Sequence, residues 1–486
     1  MTEVQKELAK AVGTNNFMDS AEVLSSYATD YSLTPPGHPN WVVKPKDAAA
    51  VQEVVRIANE NNLPIVPCSS GVHFNGCTIP KQGGIAMDLS DMNRILEIDE
   101  KNKKVRVEVG TTWEQLSNEL EGKGFRVIMP LAPHAQRSVV TDHLEREVLT
   151  NTVYDYGEPL QGMEVVWPTG ELFRTGSASV NGYPDSPSKG TNPSGPGMDF
   201  YRFLQGAQGT MGVVTWANLK IEPTTAINKV YFATANDLEP LQTFLYKILR
   251  LRIGQECVLL NNVDLASLLA DNSTENFEKL RATLPPWTLV LVISGLKRRP
   301  EEKLQYEEEV LRDIQKSKPV NLFLTDSLPG FPSASKKLLN ILRKPWPKEL
   351  PYWKHQYKGA CQSLFFITKP VYAQEFVTTV EAIAATHGYP IQDLGVYVQP
   401  IEHNRACQVE FNFFYDPDDE MEVERVCALY DDAAPALLNE GALFTRPYGQ
   451  LARLVYQRAS DYTEALKRLK DIFDPNNIMN PGNLCF

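Results

Sequence analysis

Apolar residues in the first half of the chain follow helical and strand-like spacings in turn. Spacings of three and four positions predict a helix over about 48–60, with Asp47 as its N-cap. Short apolar runs on either side of this helix, at 41–43 and 63–66, predict strands. Valines alternate with charged residues over 105–109, which predicts a further half-buried strand. The chain therefore begins as an α+β arrangement.

Two runs of small residues lie beside predicted strands, at 67–76 and at 206–214. Glycine and serine let backbone N–H groups approach an anion closely, so either run could hold a pyrophosphate. Either run could equally be an ordinary turn. The patterns G-x-G-x-x-G and G-x-x-x-x-G-K-[ST] do not occur in the sequence, which weakens nicotinamide dinucleotides and nucleoside triphosphates as ligands.

A break in the strand pattern at Glu222–Thr225 marks a candidate domain boundary near residue 225. Before it, the crowding of Gly, Pro, Ser and Asn predicts a long loop over 177–199. Beyond it, helices are predicted over about 237–251, 264–270, 300–316, 373–387 and 459–473, and strands over 289–293, 364–367, 395–398 and 408–414.

Composition narrows the class of protein. With 486 residues and a formal net charge of −12, the chain is large enough for several domains and repels nucleic acid and anionic lipid. No apolar run is long enough to span a membrane, so we expect a cytoplasmic protein without membrane insertion. The seven cysteines form no C-x-x-C, and we expect neither a disulfide framework nor a metal site.

Six segments occur in a recognisable order. They are Pro64–Gly76, Met87–Ile98, Val109–Trp113, Gly162–Gly176, Gln208–Thr215 and Phe473–Gly482. Together they resemble the FAD-linked oxidase superfamily, and within it the branch of vanillyl-alcohol oxidase and p-cresol methylhydroxylase (PCMH). The resemblance covers about residues 40–225 and the C-terminal third of the chain.

This resemblance implies an α+β fold with two main domains. One is an FAD-binding domain of the PCMH type with two α+β subdomains, and the other is a cap domain with an antiparallel sheet flanked by helices. We assign the FAD domain to 1–225, the cap to 226–440, and a C-terminal segment that returns to the FAD domain to 441–486. A cap sheet over 360–415 would cover the substrate face of the flavin.

The resemblance also implies FAD as the cofactor. Loop 68–76 is expected on the pyrophosphate, and Ser138 with its neighbours and 208–214 on adenine, ribose and isoalloxazine. The expected cofactor-binding residues are Pro67, Cys68, Ser69, Ser70, Gly71, Val72, His73, Gly76, Pro133, Ser138, Thr141, Gly209, Gly212, Val213, Val214 and Asn480.

The mode of flavin attachment follows from one position. Relatives link FAD covalently through a histidine or tyrosine where this chain has Ser363, so we expect FAD bound without a covalent link. His73 lies one residue from the attachment point of another branch and is the alternative. Thr141 and Glu147 replace small residues near the flavin, which leaves the access of dioxygen or a partner open.

Two residues are the leading catalytic candidates by the same resemblance. Asp155 stands where the branch keeps a carboxylate beside flavin N5, and could take a proton from a hydroxyl; it also fits an ordinary turn aspartate. Relatives that oxidise 4-alkylphenols bind the phenolate with two tyrosines and an arginine, where this chain has Phe74, Thr445 and Arg446. Arg446 alone suits a carboxylate or another oxyanion, or a salt bridge at a surface or domain interface.

Glu402, His403 and Arg405 are further candidates, because they fall in the strand region where the family places polar pocket residues. A slip of one residue would turn them to the other face.

The expected function is that of an FAD-dependent dehydrogenase or oxidase. It would take hydride from a CH–OH or activated C–H group of a small organic substrate, anionic ones included, and pass electrons to a protein subunit or dioxygen. The alternatives are a D-2-hydroxyacid dehydrogenase of the lactate or glycolate type and a catalytically degenerate electron-transfer subunit. A homo- or hetero-oligomer is expected.

Overall fold

The computed structural model describes residues 1–153, 158–180, 192–271, 273–316 and 322–486. Its helices are α1 (Glu3–Val12), α2 (Ala21–Ser26), α3 (Ala48–Glu60), α4 (Trp113–Glu121), α5 (Val139–Leu144), α6 (Leu238–Arg250), α7 (Asn262–Leu269), α8 (Thr274–Thr283), α9 (Pro300–Lys316), α10 (Ala334–Ile341), α11 (Ala373–Thr386), α12 (Glu420–Asn439), α13 (Gly449–Arg458) and α14 (Ser460–Phe473). In these ranges no helix combines the length and the apolar character needed to cross a bilayer.

The strands fall into two small sheets, a two-stranded ribbon and one large sheet. They are β1 (Phe17–Met18), β2 (Trp41–Val43), β3 (Ile65–Cys68), β4 (Ile85–Asp88), β5 (Ile95–Asp99), β6 (Lys104–Glu108), β7 (Phe125–Arg126), β8 (Leu160–Val166), β9 (Leu172–Arg174), β10 (Val213–Lys220), β11 (Glu222–Pro223), β12 (Ile227–Ala235), β13 (Glu256–Asn261), β14 (Trp287–Gly295), β15 (Ala360–Thr368), β16 (Leu394–Ile401) and β17 (Ala406–Tyr415).

The first half holds the two small sheets around one apolar core. The order β1-β2-β4-β3 makes a sheet whose last three strands are parallel, and β5-β6-β10-β8-β9 makes an antiparallel one. Helix α3 begins where the sequence predicts, because Asp47 accepts a hydrogen bond from the Ala50 N–H at 2.8 Å. Its buried valines join both sheets in this core.

The second half is built on a six-stranded antiparallel sheet in the order β12-β14-β13-β16-β17-β15. One face packs against α6, α9, α11 and α12 through side chains such as Phe366 and Phe411. The opposite face is apolar where α7, α8 and α10 cover it, and polar along β17. This antiparallel sheet flanked by helices confirms the expected α+β fold.

The C-terminal residues contact the first half of the chain. The Ile65 N–H donates to the Ile478 carbonyl at 2.7 Å, and the Asn480 N–H donates to the Ile65 carbonyl at 2.8 Å. The proposed domain limits at 225 and 440 fall between β11 and β12 and just after α12. Most of the predicted loop 177–199 lies outside the described residues.

A buried carboxylate ties the two halves together. Glu256, on β13 of the large sheet, is only 1% exposed and lies 2.6 Å from Arg126 Nη1 and 2.8 Å from Arg343 Nη2. Arg343 also donates to Thr225 Oγ1, on the connection between the halves, and to Asn228 Oδ1 at the start of β12, each at 2.7 Å. One buried carboxylate therefore pairs with two guanidinium groups that are largely removed from water.

Replacing Glu256 by Gln is expected to destabilise the protein, because two buried guanidinium groups would face a neutral amide. The loss should be on the order of 3 kcal/mol in the free energy of unfolding, measured by denaturant or thermal unfolding of the holoprotein. Glu53→Gln is the control, since Glu53 pairs with Arg56 at the surface with 52% exposure and should change stability by about 0.5 kcal/mol or less. Equal stability of the two variants would contradict this account.

Candidate functional site

The loop between β3 and β4 leaves its strand in a tightly held conformation. Ser69 and Ser70 are buried, and the His73 ring donates from Nε2 to the Ser70 carbonyl at 2.5 Å. Burial, with the nearby Arg137 charge, lowers the pKa of His73 to about 4 and keeps its ring neutral. A Cβ at Gly71 would meet no protein atom within 4 Å, so this part of the loop backbone is open to a ligand.

The start of α5 lies against this loop. Ser138 caps the helix by accepting from the Thr141 N–H at 3.1 Å, and its hydroxyl donates to the Val109 carbonyl at 2.5 Å. The hydroxyls of Ser69 and Thr141 share a hydrogen bond. The cap and the loop therefore fix each other.

The second small-residue loop, 206–212, is held by the C-terminal segment. Asn480 donates from Nδ2 to the carbonyls of Gln208 at 2.6 Å and Cys77 at 2.7 Å, which joins the two loops. The buried Lys470 ammonium donates to the Thr210 carbonyl at 2.6 Å. A Cβ at Gly209, where φ is +73°, would lie 2.8 Å from Pro67, so glycine permits this close approach.

A cleft runs between the two loops and α5. Of the expected cofactor-binding residues, it is lined by Pro67, Cys68, Ser69, His73, Thr141, Gly209, Gly212, Val213 and Val214. Gln208 also lines it, and its buried Oε1 has no hydrogen-bond partner among the described residues while its amide nitrogen donates to the Pro447 carbonyl at 2.8 Å. The cleft has a volume of about 90 Å³, and its apolar lining, the open loop backbone and the unused buried acceptor suit one segment of an extended dinucleotide such as FAD.

The other expected cofactor residues lie around the cleft. Ser70, Gly71, Val72, Ser138 and Asn480 belong to the segments that build it.

Two of the expected cofactor-binding residues make hydrogen bonds with residues outside the cleft. Gly76 donates from its N–H to Asp30 at 2.6 Å. The Pro133 carbonyl accepts from the Trp346 N–H at 2.7 Å, and Pro133 is absent from the described lining of the cleft.

Across from the cleft, β17 presents a row of polar side chains. Gln408, Glu410 and Asn412 alternate with the core residues Val409, Phe411 and Phe413. Glu410 accepts from Tyr397 Oη at 2.9 Å, from Gln408 Nε2 at 3.0 Å and from the Lys354 ammonium. These donors hold the Glu410 carboxylate in place and orient Gln408.

Arg446 lies where this row meets the first half of the protein. The residue is 3% exposed, its Nη2 donates to Gln408 Oε1 at 3.2 Å, and its guanidinium lies 4.1 Å from the centre of the Phe365 ring. Its Nη1 is 2.8 Å from Glu147 Oε2, an ion pair that crosses between the halves. Burial lowers the pKa of Arg446, but the Glu147 charge outweighs it and the net shift is upward.

An aromatic cluster occupies the other side of this region. Phe74 stacks on Tyr352 with ring centres 5.2 Å apart and packs beside Tyr31 at 5.6 Å. The Arg137 guanidinium lies 5.2 Å from the Phe74 ring centre. Burial, with the Lys354 charge, lowers the pKa of the neighbouring His355 to about 4, so this imidazole is neutral near pH 7. Phe74 thus supplies packing and no hydrogen bond.

Among the expected catalytic residues, one lies outside the described ranges and two lie in a different element. Asp155 lies outside the described residues, so its role stays a prediction. Glu402 and His403 were expected in a strand region. They lie instead in the turn between β16 and β17, where both have positive φ. Glu402 is 4.0 Å from the exposed Arg405, and the His403 N–H donates to the Thr152 carbonyl at 2.7 Å. The tight turn takes them out of the alternating pattern that the polar row follows.

Sequence reasoning missed Lys354, Tyr397, Gln408 and Glu410. Within 408–412 every second residue is polar, in a strand that is otherwise apolar. This alternation indicates a buried polar face and could have identified Gln408 and Glu410. Lys354 lies in an irregular segment and carried no such signal. Within the described residues, no group of three or more His, Cys, Asp or Glu side chains is arranged to hold a metal ion.

A second, larger cleft opens beside this region. Its volume is about 1240 Å³, and Ser363, Phe365, Arg446 and Tyr448 lie in its wall. Ser363 donates to Asn412 Oδ1 at 2.8 Å and accepts from Lys354 Nζ at 2.9 Å. The cleft gives a route from solvent toward the polar row.

Comparison with known proteins agrees with this architecture. Residues 39–176 match the FAD binding domain, and 369–484 match the C-terminal domain of FAD linked oxidases. The glycolate oxidase subunit GlcD of Bacillus subtilis (strain 168) is 23% identical over 99% of this chain and 96% of its own. The flavoprotein subunit of 4-cresol dehydrogenase [hydroxylating] of Pseudomonas putida is 23% identical over 91% of this chain and 87% of its own.

The crystal structure of p-cresol methylhydroxylase with substrate bound is similar in fold. It superposes with a TM-score of 0.84 at 19% identity and covers 100% of this chain and 96% of that one. At this identity the likeness shows the fold, and substrate and acceptor have to be argued from this chain's own residues.

Gly71→Ala is expected to weaken FAD binding without destabilising the apoprotein. The added methyl group meets no protein atom, so any loss of affinity reports the approach of the cofactor to this loop. We expect the dissociation constant of FAD to rise about tenfold or more, measured by titrating apoprotein with FAD and following flavin fluorescence. Gly122→Ala, at the C-cap of α4, is the control: an added Cβ there would make only an ordinary contact with the Glu119 carbonyl oxygen at 3.8 Å, and the variant should bind FAD as the wild type does. Unchanged FAD affinity in Gly71→Ala would contradict the placement of the cofactor.

The flavin is expected to be released by acid precipitation, because Ser363 stands where relatives carry the histidine or tyrosine of the covalent link. Yellow colour should remain in the supernatant, measured by its absorption spectrum. Colour retained in the pellet would identify another attachment residue, with His73 the first to replace.

Proposed function

This chain belongs to the FAD-linked oxidases, and we propose that it oxidises a CH–OH or activated C–H group of a small organic substrate. It is an FAD-dependent oxidoreductase; FAD, when bound, accepts the hydride. A protein subunit or dioxygen is the proposed final electron acceptor. The observation that carries the proposal is the Arg446–Glu147 ion pair, which joins the buried polar row of β17 to the segment that follows α5 at the small-residue cleft.

The chain's own residues provide binding, orientation and exclusion of water. Arg446 is fixed from three directions, by Glu147, Gln408 and Phe365, so it presents a rigid surface to a substrate. Glu410 acts indirectly. It accepts a hydrogen bond from Gln408 Nε2 and thereby orients Gln408 toward the Arg446 guanidinium. Asp155 remains the proposed proton acceptor.

Phenolate binding of the kind attributed to 4-alkylphenol oxidising relatives is not supported by these residues. Phe74 offers only a ring, and it is packed between Tyr352 and Tyr31. Losing each charge-assisted hydrogen bond to a phenolate oxygen would cost about 1.5–3 kcal/mol. We therefore propose a substrate without an essential 4-hydroxyphenyl group.

A second candidate is the oxidation of D-2-hydroxy acids. The similarity to the glycolate oxidase subunit GlcD, which spans nearly the whole of both chains, supports it. A buried arginine is the residue that such a carboxylate would need. Whether that guanidinium is free to pair with a substrate carboxylate decides between the two candidates.

Anaerobic reduction of the bound flavin tests the proposal directly. Holoprotein is mixed with benzyl alcohol, 4-hydroxybenzyl alcohol, glycolate and D-lactate, and the bleaching of the flavin absorption is followed. We expect reduction by an alcohol without the phenol and slow reduction by 4-hydroxybenzyl alcohol. Dithionite serves as the control that the flavin can be reduced.

Other outcomes would redirect the assignment. Rapid reduction by D-lactate or glycolate would establish the second candidate. Rapid reduction by 4-hydroxybenzyl alcohol would contradict the proposed pocket. If none of a broader set of alcohols reduced a flavin that dithionite does reduce, the chain would be better described as an electron-transfer subunit.

A further inference from the structure

We propose that Glu147 determines substrate charge: by neutralising Arg446 it makes the site select an uncharged substrate over a carboxylate. The inference rests on the proposed function, since it names the substrate class of the same site. It assigns a specificity-determining role to a residue that follows α5 on the cofactor side.

The first support is the environment of Arg446. Its Nη1 is paired with Glu147 at 2.8 Å, its Nη2 donates to Gln408 at 3.2 Å, and one face lies on Phe365. A substrate carboxylate normally binds arginine through both nitrogens of one edge. Here a carboxylate of the protein already lies against this guanidinium.

The second support is that the other buried cations of this region are also paired. Arg137 forms an ion pair with Asp142 and lies 3.7 Å from Glu147. Lys354 pairs with Glu410. Each cation thus has a carboxylate of its own.

Further buried acids have neutral partners. Glu145 accepts from the Tyr448 hydroxyl, and Asp264 accepts from Asn412 Nδ2 at 3.0 Å. Burial raises the pKa of Glu145 and raises that of Asp264 to about 7. The three buried cations Arg446, Arg137 and Lys354 are therefore accompanied by five carboxyl groups, those of Glu147, Asp142, Glu410, Glu145 and Asp264. An additional carboxylate would lose its hydration without gaining an unpaired cation.

Removing the Glu147 carboxylate would leave the positive charge of Arg446 without its ion-pair partner. The Glu147 side chain is 22% exposed, so an isosteric amide at this position stays in contact with solvent, whereas the buried Arg446 loses the charge of its partner. Arg446 would then keep Gln408 and Phe365 but carry an uncompensated positive charge. The variant Glu147→Gln should therefore accept a carboxylate that the wild type rejects.

The test compares benzoate with benzamide, which have nearly the same shape and differ in charge. Neither needs to be oxidised, so their dissociation constants can be measured from perturbation of the flavin absorption spectrum of oxidised holoprotein. The wild type should not prefer benzoate to benzamide. In Glu147→Gln the affinity for benzoate should rise at least about tenfold relative to benzamide.

Glu145→Gln is the matched control. It removes a carboxyl group two residues away but leaves the Glu147–Arg446 pair intact, so the ratio of benzoate to benzamide affinity should stay near that of the wild type. Glu147→Ala gives an independent measurement: benzoate should raise its melting temperature more than benzamide does, because only the anion can replace the missing charge.

Three results would overturn the inference. They are preferential binding of benzoate by the wild type, failure of Glu147→Gln to bind benzoate more tightly, and an equal gain in Glu145→Gln. Because these measurements need no turnover, they stand apart from the proposed function. If no alcohol reduced the flavin, the proposed oxidation of an alcohol would be overturned. The proposed preference for uncharged ligands would still be tested by the dissociation constants of benzoate and benzamide.

Discussion

Charged side chains that have been taken out of water join the two halves of this molecule, and each of those charges needs a partner. Glu256 meets Arg126 and Arg343 on one side of the interface, while Arg446 meets Glu147 on the other. An unpaired buried charge costs several kcal/mol, so these pairs restrict the position of the large sheet relative to the cofactor cleft. The geometry of the site therefore depends on the same interactions that hold the halves together.

The cofactor cleft depends in turn on the end of the chain. Asn480 joins the two small-residue loops through the carbonyls of Gln208 and Cys77, and Lys470 holds the second loop through Thr210. These loops consist of small residues that contribute little packing of their own, so their conformation must be fixed from outside. The return of the last residues to β3 provides that support.

Local patterns in the sequence predicted much of the fold, because helix spacing and helix caps depend on interactions between residues that are close in sequence. The helix spacing over 48–60 and the cap at Asp47 reproduce α3, and the pattern over 300–316 reproduces α9. The α12 helix was missed because it contains Pro435, which as a local signal argues against a helix. Glu402 and His403 were misplaced because a turn and a strand end differ by only one or two residues in sequence.

No local sequence pattern could predict that Arg446 pairs with Glu147, because Glu147 lies 299 residues earlier in the chain. A resemblance can suggest that an arginine is retained, but its chemistry depends on whether a carboxylate lies beside it. An unpaired guanidinium would attract an oxyanion, whereas the Glu147–Arg446 pair presents no net charge and can act only by hydrogen bonding and shape. Where a flavin supplies the hydride chemistry, the choice of substrate is left to the neighbouring side chains, and the proposal above assigns that choice to Glu147.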